Sequence, residues 1–186
     1  MKIIDTKSFP ASHECDEIVN IPLYRICKVK QIVNLSNYKN IIFQSPSAVI
    51  NFDQINLIED KRIIAMGPGT SNQLRKHGYV AEIPDTEYSS EGVINLINKS
   101  EVTGKTLVIK GEGGLSMISE YLNSASLKAD ELYTYNRQKF GSYIEIKKQF
   151  CNSDLVIFSS ALSVEIYFKY IHNDQENLKF LAVSER

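Results

Sequence analysis

Residues 41–52, IIFQSPSAVINF, return in altered form as VIFSSALSVEIYF at residues 156–168. Each copy opens on an apolar run ending in Phe (Phe43, Phe158) and bends through serines. It then continues at helical spacing with Val (Val49, Val164) and an aromatic (Phe52, Phe168). At a similar distance beyond, RIIAMGPG (62–69) is answered by KFLAVSER (179–186). A strand–bend–helix–strand unit present twice predicts two similar domains, with the strands of Phe43 and Phe158 in equivalent places of separate sheets. The second copy stops where the first continues into TSNQLRKHG, so the domain built from it is expected to lack its C-terminal part, because a bare sheet edge is unfavourable.

The rest of the chain has the same rhythm. MKIID, EIVNIPLYRI, NIIFQS, RIIAMG, the short AEIP, TLVIKG, ELYTYNR, DLVIFSS and KFLAVS read as strands. PSAVINFDQI, GTSNQLRKHG, SSEGVINLINKS, GLSMISEYLNS, SYIEIKKQF and ALSVEIYFKYIHN read as helices. Ser89 or Ser90 caps the third, and Gly78 closes the second. Alternating strands and helices with continuous apolar strand runs indicate an α/β fold: two similar parallel-sheet domains with both sheet faces covered, the first incomplete.

Composition narrows the function. The chain of 186 residues has a net charge of −1, so a general electrostatic footprint for nucleic acid or an anionic membrane is absent. No run approaches the ~20 apolar residues of a membrane span, and the N-terminal MKIIDTKSFP lacks the apolar core of a signal peptide. Cys15, Cys27 and Cys151 are odd in number and have no CxxC spacing, which reads as free thiols in a reducing cytosol. His13, His77 and His172 are scattered without a metal-ligand spacing, so no metal site is expected.

The serine bends carry the chemistry. In open α/β sheets ligands lie beyond the carboxyl ends of the strands, where the bends at Gln44, Ser45 and Ser47 and at Ser159 and Ser160 fall. The serines either cap the following helix or help its N–H groups hold a carboxylate or phosphate. MGPGTS forms a third bend, where Gly67 and Gly69 allow close backbone approach before Thr70 and Ser71. KGEGG (110–114), with Lys110 and Gly111, forms a fourth; it is either a glycine turn with a solvated lysine or a further donor site. GxGxxG and P-loop fingerprints are absent, which disfavours a nucleotide enzyme, and neither a Ser-His-Asp order nor an acidic cluster appears.

In order, IIFQSPSAV, AMGPGTSNQLRKHG, IPDTEYSSEGVINLI, LVIKGEGGLSMISEYL, LYTYNR, DLVIFSSALSV and LKFLAVSER resemble the uroporphyrinogen-III synthase family over nearly the whole chain. Gln44 stands where the family usually has Thr, and Lys110 where it has Arg. About 60 residues of the family's C-terminal part have no counterpart. The resemblance implies two α/β domains joined by two connecting segments, one discontinuous (1–33 with 148–186) and one inserted (34–147), with the active site in the cleft. It implies a cytoplasmic, monomeric lyase without a cofactor. Its substrate would be hydroxymethylbilane, a linear tetrapyrrole with eight carboxylates, and its product uroporphyrinogen III with ring D inverted. The preceding hydroxymethylbilane-forming enzyme is the implied partner. Ser45, Ser47, Thr70, Ser71, Lys110, Gly111, Ser159 and Ser160 would bind substrate. Tyr135 matches the family position implicated in helping the hydroxyl leave, the alternative being a sheet tyrosine packed on a helix. The competing function is a non-catalytic two-domain binder of a small polyanion.

Overall fold

In the computed structural model, residues 1–8, 17–100, 102–173 and 178–182 are described, so His13, Cys15 and the end of the second repeat lie outside the described residues. The run NIIF forms β4 (Asn40–Phe43), buried along its whole length. It lies parallel between β5 (Arg62–Ala65) and β6 (Thr106–Gly111), and β6 pairs in parallel with β7 (Ala129–Lys139). With β3 (Tyr24–Lys28) at the edge, the order is β3-β7-β6-β4-β5. β4 and β6 are apolar without alternation because both sheet faces are covered. Val93 and Ile97 of α3 (Ser90–Lys99), with Ile118 and Leu122 of α4 (Met117–Ser124), pack on Ile42, Ile64 and Val108. Near α1 (Pro46–Ile50), Phe52 meets Phe43 edge-on, with ring centroids 5.8 Å apart.

The second sheet has the order β2-β1-β8-β9, all parallel, from β1 (Ile3–Asp5), β2 (Ile18–Asn20), β8 (Leu155–Phe158) and β9 (Lys179–Ala182). Its core joins Ile4, Val156 and Phe158 to Ile166 and Tyr167 of α6 (Ala161–Tyr170). Phe43 and Phe158 thus end strands of separate sheets, each one place in from an edge, as the repeat predicts.

The chain divides into two compact units, Met1–Ile26 with Arg137–Arg186, and Cys27–Asn136. Both crossings fall within strands, β3 and β7, rather than at 33/34 and 147/148. The helix α5 (Ile144–Gln149) and its flanks belong with the discontinuous unit: Tyr143 and Phe150 join the Ile4–Val156 core, and the Tyr143 hydroxyl donates to the Leu23 carbonyl at 2.8 Å.

Local chemistry accounts for other departures. EIVNIPLYRI is two strands in different sheets, β2 and β3, parted at Ile21–Leu23, where Pro22 offers no N–H to a ladder. The helix after β4 ends at Ile50 rather than running to Ile55, because the Asn51 amide turns back to the Ser47 carbonyl at 2.8 Å. The helix after β5, α2 (Pro68–Arg75), is followed by Gly78 at φ +86°, a conformation glycine adopts without strain.

Gly92 sits under the Ser89 cap of α3, where a Cβ would lie 1.7 Å from the Glu87 carbonyl oxygen. The obstacle is backbone, so Gly92→Ala must displace the loop before α3. Its expected effect is a loss of about 3 kcal/mol, the upper end of overpacking costs, read as a lower urea midpoint at unchanged slope. An unchanged midpoint would show that the loop yields freely.

Candidate active site

Ser45 and Ser160 answer the capping question in the same way. Both have extended backbone (φ −161°, ψ 159° and φ −158°, ψ 151°), and each Oγ accepts a hydrogen bond from the N–H three residues on, that of Ala48 or Ser163. Each serine also meets a tyrosine hydroxyl carried on a strand that joins the two units. Ser45 Oγ and the Tyr135 hydroxyl share a 2.9 Å hydrogen bond, and Ser160 Oγ and the Tyr24 hydroxyl share one of 3.2 Å. The repeat therefore extends to a residue outside the repeated segments. Tyr24 escaped the sequence reading because its partner lies 136 residues away.

Tyr135 is held by a break in strand register. Lys110 pairs with Tyr133 but Gly111 pairs with Tyr135, so Thr134 has no opposite residue on β6. Such a bulge re-aims the side chains that follow it. Here it lays the Tyr135 ring against Gly111, where a Cβ would stand 2.4 Å from the ring and 2.8 Å from its oxygen. Thr134 turns to the Ala48 carbonyl on α1, its Oγ1 donating at 3.2 Å. Tyr135 is 3% exposed, so of the hydroxyl pair it is the half-buried Ser45 that is more open to solvent.

Lys110, expected to reach substrate, points inward instead. It is 1% exposed, and its Nζ donates to the Leu115 carbonyl (2.9 Å), Ser116 Oγ (3.0 Å) and Glu131 Oε1 (2.8 Å). Glu131 also accepts from Ser119 Oγ and from the Tyr133 hydroxyl. Burial opposes ionisation of Glu131, but the bonds from Lys110, Ser119, Tyr133 and Ser116 outweigh it and hold its pKa at about 2. Gln44 Nε2 reaches the same Leu115 carbonyl at 3.4 Å.

The remaining predicted site residues differ in what they present. Ser47 is half-buried in the first turn of α1, and Ser159 is half-buried beside Ser160. Thr70 and Ser71 are buried within α2, and their N–H groups both go to the Gly67 carbonyl. Pro68 has no N–H, which leaves Gly69 as the exposed first-turn donor of that helix. The end of β4 thus carries Ser45, bonded to Tyr135 of β7, the end of β6 carries a glycine turn, and the start of α2 carries one exposed backbone donor, Gly69. Among the described residues no group of three or more His, Cys, Asp or Glu is placed to hold a metal ion, and no helix is long and apolar enough to cross a membrane.

Two α/β units with parallel strands, one inserted in the sequence of the other and each with a serine-capped helix after an inner strand, define a two-domain α/β protein. The chain belongs to the uroporphyrinogen-III synthase family: the profile described as uroporphyrinogen-III synthase HemD matches residues 16–186. A Methanocaldococcus jannaschii protein provisionally named a uroporphyrinogen-III synthase is 27% identical over 155 residues, covering 76% of this chain and 62% of that relative. The chain thus matches less than two thirds of that relative's length. In fold it resembles the uroporphyrinogen-III synthetase of Helicobacter pylori, with a TM-score of 0.71, 14% identity, and coverage of 98% of this chain and 84% of the other. It also resembles a mutant uroporphyrinogen III synthase of Thermus thermophilus, with a TM-score of 0.59, 14% identity, and coverage of 90% and 75%.

Proposed function

We propose that the protein is a uroporphyrinogen-III synthase, a cofactor-independent lyase that cyclises hydroxymethylbilane with inversion of ring D. The reading includes a cytoplasmic monomer that receives its substrate from the hydroxymethylbilane-forming enzyme. The observation that carries it is the Ser45–Tyr135 hydroxyl pair, with Ser45 just beyond the end of β4 and Tyr135 on β7 opposite Gly111, the last residue of β6, in a chain of this family.

The chemistry asks little of side chains. The bilane's terminal hydroxyl leaves with a proton as water, giving an azafulvene cation. Ring D attacks that cation through its substituted carbon, and the spiro intermediate fragments and recloses the other way round. The net products are uroporphyrinogen III and water. Direct closure of the same cation gives isomer I, so the protein's task is to hold one geometry and exclude the easier one. Hydroxyl and N–H donors at Ser45, Ser47 and Gly69 on the Cys27–Asn136 unit suit the carboxylates of such a ligand, and Ser159 and Ser160 offer the same chemistry on the other unit. Tyr135, with Ser45, supplies the proton for the departing hydroxyl, and the proton that the reclosed cationic macrocycle loses as its pyrrole regains aromaticity restores the tyrosine.

The test is an assay on freshly generated hydroxymethylbilane with the isomers separated. Isomer III above the uncatalysed background is expected. Isomer I alone would overturn the reading in favour of a polyanion binder.

A further inference from the structure

We infer that Lys110 is a positioning residue for the proposed reaction: it fastens the turn between β6 and α4 and, through Gly111, fixes the pose of Tyr135. The inference rests on the synthase reading for its activity arm and on geometry alone for its structural arm.

Lys110 occupies the last regular pair of the β6–β7 ladder, immediately before the register shift. Its three ammonium bonds run to three different parts of the fold: Glu131 on β7, the Leu115 carbonyl at the end of the turn, and Ser116 at the start of α4. The Tyr133 ring lies 5.7 Å from the same nitrogen, and the Tyr133 hydroxyl donates to the other oxygen of Glu131. The residues beyond the shift have little else to hold them. Glu112 N–H donates to the Tyr135 carbonyl at 2.8 Å, Gly114 N–H to the Gly111 carbonyl at 3.1 Å, and Glu112 and Gly113 are exposed. Gly111 stands directly against the Tyr135 ring, so any drift of the turn moves the wall that aims the hydroxyl at Ser45. A buried ammonium bonded on three sides is rigid where a solvated lysine is not, and it gives this turn one conformation.

The variant is Lys110→Met, measured as the full chain with thermal stability followed in parallel. Hydrogen exchange at the Glu112 and Gly114 amides is expected to quicken at least tenfold, while that at Ile42 and Val108 stays slow. At saturating bilane, kcat for isomer III is expected to fall about 10- to 100-fold, as small misplacements of a reacting group do, with KM changed less than threefold. On a Tyr135→Phe background Lys110→Met should slow the reaction less than twofold further, because both act on one hydroxyl. A merely stabilising lysine would lower the melting temperature and leave kcat per folded molecule, the isomer ratio and the turn amides unchanged, which would overturn the inference. Full additivity with Tyr135→Phe would overturn it too. If Lys110→Met fails to fold, Lys110→Met/Glu131→Leu removes the buried charges together and is read in the same way. If the wild type makes no isomer III, the synthase reading falls, and turn exchange alone decides whether Lys110 fastens the turn.

Discussion

Tyr135→Phe is expected to slow formation of uroporphyrinogen III by about 10²-fold, with affinity for the bilane nearly unchanged. A positioned proton donor is worth typically 10²–10⁴-fold, and the lower end applies because the azafulvene cation forms readily. The substitution removes one oxygen and nothing else. The ring stays against Gly111, Ser45 keeps its bond from the Ala48 N–H, and the β6–β7 register is untouched. A change confined to kcat would therefore report the hydroxyl and not the fold. Gly111→Ala provides the converse: the hydroxyl is present, but a methyl group 2.4 Å from the ring forces it aside. Both variants should lose isomer III in similar measure. Isomer III formed at the wild-type rate by Tyr135→Phe would make Tyr135 a packing residue.

Glu131→Gln should be the most destabilising single substitution at this end of the sheet, by about 3–5 kcal/mol, because it leaves the Lys110 ammonium buried without a counter-charge. The carboxylate also predicts an acid transition. Its pKa lies at about 2 in the folded chain against an ordinary 4.5. A depressed carboxylate contributes its stability fully above the unfolded value and loses it as pH falls through the folded one. The window is therefore pH 4.5 down to about 2, with a contribution of the order of 3 kcal/mol. Urea midpoints measured through that window should fall in the wild type and flatten in Glu131→Gln. Equal slopes in the two proteins would place the acid transition on other carboxylates. Lys110→Met/Glu131→Leu should sit close to wild type, since removing a buried pair together is often near neutral.

Much of this was legible in the residues. The repeat gave two sheets because strand, bend and helix all recur within a dozen positions, and hydrophobic runs without alternation mark strands buried on both faces. Ser45 and Ser160 were legible as caps because capping is local, reaching three residues ahead. Lys110 was not. A lysine beside glycines reads as a solvated or ligand-facing cation, and its burial depends on Glu131, twenty-one residues on in the neighbouring strand. Tyr24 and Tyr135 meet their serines across 136 and 90 residues, distances at which composition and periodicity say nothing. The unit boundaries moved for the same reason: Tyr143 belongs with Leu23, 120 residues earlier.

The register break at Thr134 makes the site a matter of counting. Side chains alternate along a strand, so which wall a residue faces depends on the parity of its position. The unmatched Thr134 shifts that parity once, and everything after it on β7 is read in the new frame. Loss of one residue from YTY would leave a segment just as apolar, just as rich in strand-forming side chains and still able to pair with β6. It would, however, have no unmatched residue, so Thr134 and Tyr135 could no longer both turn to the α1 side of the sheet. The serine caps tolerate drift in their surroundings because each carries its own bond three residues on. The tyrosine holds its place by arithmetic along the strand, and a change of length there is silent in composition and decisive for chemistry.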